Sequence, residues 1–136
     1  MTAIAGIILN NREVRELLER GLVDVCRKAV RNGRRHVGEQ LWVRETFATR
    51  ADGETIRIRY KADFHDAPAR VVPATGIARR YRSARYFTRA GKYCPRWASR
   101  LLVQVLDMRI EPGPDGDLVL LSLKRVDEAT PEGVTG

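Results

Sequence analysis

Apolar residues recur along this chain with two different periods. Near the start the period is helical: Val14, Leu17, Leu18 and Leu22 repeat at three- and four-residue spacing, Asn10 stands as a cap with Glu13 three residues on, and Gly21 supplies the stop. The pattern predicts one amphipathic helix with a single apolar stripe to bury. Elsewhere the period is two, or the apolar run is short and continuous, as strands require. "AIAGIIL" (3–9), "VDVCRKAV" (23–30), "LWVRETFAT" (41–49), "TIRIRYKADF" (55–64), "ASRLLVQVLDMRIE" (98–111) and "LVLLSLKRV" (118–126) all read this way. Asp52-Gly53 is a hairpin signal between the third and fourth, and "PGPDGD" (112–117) is a turn between the last two. "RNGRRHVGEQ" (31–40) reads as a loop and "DEATPEGVTG" as a frayed tail. Residues 65–92 are the least regular stretch, with room for one helical turn or none in 77–90.

Five or six strands and one N-terminal helix predict a mainly β, α+β fold, a small antiparallel β-barrel. No repeat or second domain is visible, so 1–126 reads as a single domain and 127–136 as a flexible tail. A chain of 136 residues can bury a core without disulfide or metal staples. In the fourth strand the alternation puts Ile56, Ile58 and Tyr60 on one face and Arg57, Arg59 and Lys61 on the other. That cationic row is either a solvated edge or a phosphate-tracking surface.

Composition is ordinary for a globular protein, 43% hydrophobic and 31% charged. No stretch approaches the roughly 20 apolar residues of a membrane span, and the apolar N-terminal run lacks a preceding basic residue and a clear cleavage site. The chain therefore reads as cytoplasmic, with no membrane partner. Cys26, Cys94, His36 and His65 include no pair at the short spacing of a zinc site, so no metal or other cofactor is expected. Net charge is +8, and it is unevenly placed. Between Ala67 and Leu106 there is no acidic residue, while Arg70, Arg79, Arg80, Arg82, Arg85, Arg89, Lys92, Arg96 and Arg100 are all cationic. Arg27, Lys28, Arg31, Arg34 and Arg35 form a second cluster, and the last 26 residues are net acidic. Clustered basic side chains gain affinity for polyanions by releasing phosphate counterions.

Three segments carry a family resemblance. "GEQLWVRETFA" (38–48), "IRYKAD" (58–63) and above all "PRWASRLLVQV" (95–105) resemble, in the same order, the ASCH-domain family of phages and prophages, within the PUA-like superfamily. The resemblance spans roughly residues 4–126 and implies a small β-barrel with a helix at one end and a pocket between them. It also implies binding of RNA or modified nucleobases, and in some members amidohydrolase activity on acylated cytidine or ribonuclease activity. The family's amidohydrolases rely on a lysine and a threonine from a G-x-K-T-x-T segment that follows the opening strand and helix, and on a glutamate from a helix between the last two strands. Here Val23 falls at the lysine and Cys26 at the threonine, and Glu111 runs straight into "PGPDGD" with no room for that helix. A valine is neither base nor nucleophile. Glu132 in "PEGV" is the substitute available, but it follows a proline in the tail. For Cys26 a buried structural thiol is favoured over a nucleophile, since neither His36 nor His65 stands at a recognised spacing from it.

What remains is binding equipment. Guanidinium forks grip phosphate and aromatic faces stack on bases, and here Tyr81, Tyr86, Phe87, Tyr93 and Trp97 interleave with the acid-free basic stretch. The expected nucleic-acid contacts are Arg79, Arg80, Arg82, Arg85, Arg89, Arg96, Arg100, Arg34 and Arg35, with Trp42, Tyr60, Tyr81, Tyr86 and Trp97 as stacking or pocket groups. Each has a plainer reading: Trp42 as core or pocket wall, Trp97 as a barrel plug, Arg44 and Glu45 as an ion pair or strand-edge contacts. The sequence thus predicts a non-catalytic module for RNA or single-stranded nucleic acid. The alternatives are an ASCH-type enzyme acting on a modified nucleobase or RNA, and a phage-encoded inhibitor of a host nucleic-acid-handling complex, since interface hot spots share the Trp, Tyr and Arg signature.

Overall fold

The computed structural model describes residues 4–29, 35–63 and 68–126. It is mostly β, with nine strands in two sheets and one α-helix among these residues. No helix among them is long and apolar enough to cross a membrane. The chain divides into two compact units, each discontinuous in sequence.

The first unit comprises Met1–Ile7, Glu16–Val43 and Arg100–Gly136. Its five-stranded sheet is built from β1 (Ala5–Ile8), β2 (Leu22–Lys28), β3 (Gln40–Arg44), β8 (Leu102–Gly113) and β9 (Gly116–Val126), in the order β1-β3-β8-β9-β2. Strand alternation buries Val23, Val25, Leu41, Val43, Val103, Val105, Leu121 and Leu123. β8 and β9 form one long hairpin in which Leu106 is the extra residue of a bulge between Val105 and Asp107. The hairpin pairs Glu111 with Leu118 and Gly113 with Gly116, so β8 runs two residues into the "PGPDGD" segment read as turn. Only Pro114 and Asp115 lie between the two strands, and no helix stands there.

The second unit comprises Ile8–Arg15 and Arg44–Ser99. Its four-stranded sheet runs β6-β5-β4-β7, from β4 (Phe47–Asp52), β5 (Thr55–Tyr60), β6 (Arg70–Pro73) and β7 (Phe87–Arg89). β4 and β5 meet at Gly53, in the left-handed region at φ 64° as the hairpin signal requires. The buried face carries Phe47, Thr49, Ile56, Ile58 and Tyr60.

Helix α1 is Asn11–Arg20. The Glu13 amide donates to Asn10 Oδ1 at 2.8 Å and the Asn10 amide to Glu13 Oε1 at 3.0 Å, a complete reciprocal cap. Gly21 ends the helix at φ 73°, so Leu22 opens β2 instead of continuing the apolar stripe.

Several expectations need correction. "LWVRETFAT" is two strands in different sheets, broken at Glu45 and Thr46, where Gly91 packs so closely that a Cβ there would lie 2.9 Å from the Arg44 carbonyl oxygen. "TIRIRYKADF" is strand only to Tyr60; Lys61–Asp63 is a 3-10 turn, which removes Lys61 from the cationic row. The irregular stretch holds β6, β7 and two 3-10 turns, at Arg79–Tyr81 and Gly91–Tyr93. Nine strands replace the five or six expected, and each sheet is open-ended among the described residues. The frayed tail lies outside them.

Candidate nucleic-acid interface

The second unit holds fifteen lysines and arginines against six carboxylates, a surplus of nine, whereas the first holds ten against eleven. All of the net charge therefore resides in the unit built on the four-stranded sheet. Two of its six carboxylates, Glu13 and Glu45, are buried and face no solvent.

The arginines of this unit divide by what their guanidinium groups touch. Several are fixed to main-chain carbonyls: Arg70 Nη1 to Ser99 at 2.7 Å, Arg82 Nη2 to Ala74 at 2.7 Å, Arg89 Nη2 to Arg80 at 2.8 Å, and Arg44 to both Cys94 and Lys92. Arg44 thus makes backbone contacts of the strand-edge kind. Arg79, Arg80, Arg82 and Ser83, with Ile77, line an open depression of about 720 Å³ on the 3-10 turn after β6. Arg79, Arg80 and Arg85 are exposed, and among the described residues none has an ion pair or side-chain hydrogen bond; Arg80 lies over the Tyr81 ring at 5.2 Å.

Tyr81 and Tyr60 are core residues, which corrects their reading as stacking groups. Tyr60 Oη donates to the Ala98 carbonyl at 2.6 Å. The Tyr81 ring is 6.5 Å from Phe47 and meets Trp97 edge-on at 5.1 Å, with Arg80 and Arg89 over it. Trp97 is half-buried in a 3-10 turn, Arg96–Ala98, where Arg96 is exposed. Phe87 on β7 is 54% exposed with the Arg89 guanidinium 4.6 Å from its ring centre, and Tyr93 is 56% exposed with the Lys92 ammonium 5.1 Å from its ring centre, so these two are the accessible aromatics of the basic stretch among the described residues.

The solvent face of β4 and β5 holds a group that sequence reasoning described only in part. Register places Arg50 directly opposite Arg57, with Arg59 two residues along on the same face. Tyr86, just before β7, has the Arg59 guanidinium 4.4 Å and the Arg50 guanidinium 5.3 Å from its ring centre. Arg57 and Arg59 follow from the alternation of β5, but Arg50 falls between the two predicted strands, beside the Asp52-Gly53 hairpin signal.

Most of the remaining candidates lie in the first unit, Cys94 and His65 in the second. Arg35 is engaged, donating to the Gly6 carbonyl at 3.2 Å and pairing with Glu39 at 3.6 Å. Arg100 is half-buried. Trp42 is half-buried with its Nε1 on the Ile4 carbonyl, because Leu41 and Val43 take the core side of β3. Cys26 is exposed, correcting the buried-thiol reading: Val23 and Val25 point inward, so the residue between Val25 and Arg27 points out. Cys94 is the buried thiol, pushed up to about 11 chiefly by burial. A smaller cavity of about 220 Å³ beside Val23 is lined by Glu16, Arg20, Leu22, Asp24, Leu106, Ser122 and Leu123. Glu16 there pairs with Arg20 and Asp24 accepts from Ser122 Oγ, so its carboxylates are engaged. No cluster of three metal-ligating side chains occurs among the described residues. Arg34, His65 and Glu132 lie outside them.

No family model matches the sequence, and neither a curated protein nor a solved structure matches the chain.

Proposed function

We propose that the protein is a non-catalytic binding module for RNA or single-stranded nucleic acid, and that the second unit is its binding surface. The observation that carries this reading is the charge partition: a surplus of nine cations in one unit, with Arg79, Arg80 and Arg85 exposed and without salt-bridge partners among the described residues. Such side chains have condensed counterions to displace from a phosphate backbone. The exposed Phe87 ring beside Arg89 adds a stacking surface that tolerates any base. The sequence resemblance to ASCH and PUA-like proteins supports the same ligand class, and a PUA-like barrel is the architecture that goes with this proposal. The tight turn between β8 and β9, together with Val23 in place of the family's lysine, supports the non-catalytic form.

The test is fluorescence anisotropy with a labelled single-stranded RNA across a salt series. Binding is expected to weaken linearly in log–log form, by about 0.7 per phosphate contact, and replacing Arg79, Arg80 and Arg85 by Gln is expected to reduce the slope by about 2. Absence of binding to RNA and DNA strands at low salt overturns the proposal.

A further inference from the structure

The outer face of β4 and β5 works against its own fold. Like charges directly opposite on neighbouring antiparallel strands repel, yet Arg50 faces Arg57 across the register, and Arg59 adds a third cation on the same side. Among the described residues one carboxylate answers them: Asp52 Oδ2, 3.1 Å from Arg57 Nε in an ion pair whose N–H does not align as a hydrogen bond. Among the described residues the Nε atoms of Arg50, Arg57 and Arg59 and the Tyr86 hydroxyl have no hydrogen-bond partner, and all four are shielded from solvent. Orphaned buried donors are costly and uncommon. Four such groups on one face of one sheet describe a site whose acceptor comes from elsewhere.

The geometry points to a phosphate clamp on this face, with Arg50 and Arg59 as gripping forks braced against Tyr86 and Arg57 as the third cation. The inference rests on the proposed nucleic-acid binding and assigns that surface its anion site. Guanidinium presents parallel N–H groups in a planar fork that matches the oxygens of a phosphate, and three forks supply more donors than one carboxylate accepts. The Tyr86 ring, stacked against two of the guanidinium groups, fixes them before the anion arrives, so less side-chain freedom is lost on binding. The ligand is a phosphate, either a diester within a strand or a terminal monoester.

Arginine Nε–Hε NMR signals of the full chain, titrated with inorganic pyrophosphate at ionic strength held constant with sodium chloride, read the site directly. The Arg50 and Arg59 signals, assigned with Arg50→Lys and Arg59→Lys, are expected to shift saturably. The double Arg50→Lys, Arg59→Lys variant is expected to bind at least tenfold more weakly, while Lys124→Gln, exposed on β9 in the first unit, binds as the parent does. No saturable shift, or an equal response to a hexaglutamate peptide, overturns the clamp. Titrating single-stranded RNA with and without a 5′-phosphate separates the two sources: equal shifts assign the site to the diester backbone, and shifts only with the 5′-phosphate assign it to the terminus. RNA binding without movement of these signals removes the clamp and leaves the proposed function standing. Pyrophosphate binding without RNA binding does the reverse.

Discussion

Arg44 donates through Nε to the Cys94 carbonyl at 3.2 Å and through Nη2 to that of Lys92, closing the Gly91–Tyr93 turn onto the end of β3. Hydrogen bonds from a charged donor are worth about 1.5–3 kcal/mol. Arg44→Met is therefore expected to lower stability in urea denaturation by about that amount, whereas the exposed Arg79→Met moves it by less than about 0.5 kcal/mol. A sequence lists both residues as cations and says nothing of their acceptors, which is why the basic stretch was legible as a field but not as individual contacts. Cys94 gives a second prediction at this scale. Burial holds its thiol neutral up to about 11 against an ordinary 9.0, so the folded chain retains a proton that the unfolded chain loses first. The stability this provides is whole below pH 9 and drains away as pH rises from about 9 to 11. Cys94→Ala, compared with the parent in an alkaline series of thermal melts, is expected to flatten that limb; the same slope in both would show that Cys94 does not titrate as placed.

At the scale of elements, β3 and β4 show what periodicity does and does not determine. The apolar alternation through Leu41, Val43, Phe47 and Thr49 is continuous enough to read as one strand, and the burial of all four agrees with it. At the break, Glu45 and Thr46, a distant residue packs against the backbone: a Cβ at Gly91 would meet the Arg44 oxygen at 2.9 Å and the Glu45 Cα at 3.3 Å. Long-range contacts of this kind leave no local pattern in the sequence. Since backbone atoms cannot swing aside as a side-chain tip does, Gly91→Ala is expected to cost about 1–3 kcal/mol by strain. A chemical-denaturation midpoint equal to the parent's would show that the approach is looser than described. Helix α1, by contrast, was legible to the residue at its cap, because the reciprocal Asn10 and Glu13 bonds are local. The β4–β5 hairpin was half legible: the alternation of β5 exposed Arg57 and Arg59, but register alone brings Arg50 opposite Arg57.

For the whole molecule, charge was visible in the sequence as a long acid-free stretch, but its division was not, because the second unit joins Ile8–Arg15 to Arg44–Ser99 across a gap in the chain. Once the units are drawn, the first is nearly neutral, with ten cations against eleven carboxylates, and the basic cluster of Arg27, Lys28 and Arg35 belongs to it. A phosphate strand responds to local potential within about a Debye length, roughly 10 Å at 0.1 M salt, more than to the net charge of the protein. Neutralising Lys124 and Arg125 on β9 therefore removes two charges from the total but none from the binding unit, and the salt slope for single-stranded RNA is expected to stay unchanged. Neutralising Arg79, Arg80 and Arg85 removes three from the unit and is expected to shorten the slope by about 2, one contact of roughly 0.7 for each. If the two sets shorten it in proportion to the charge removed, the interaction follows net charge and the second unit has no special claim on the strand; a response confined to the second set assigns the counterion release to that unit.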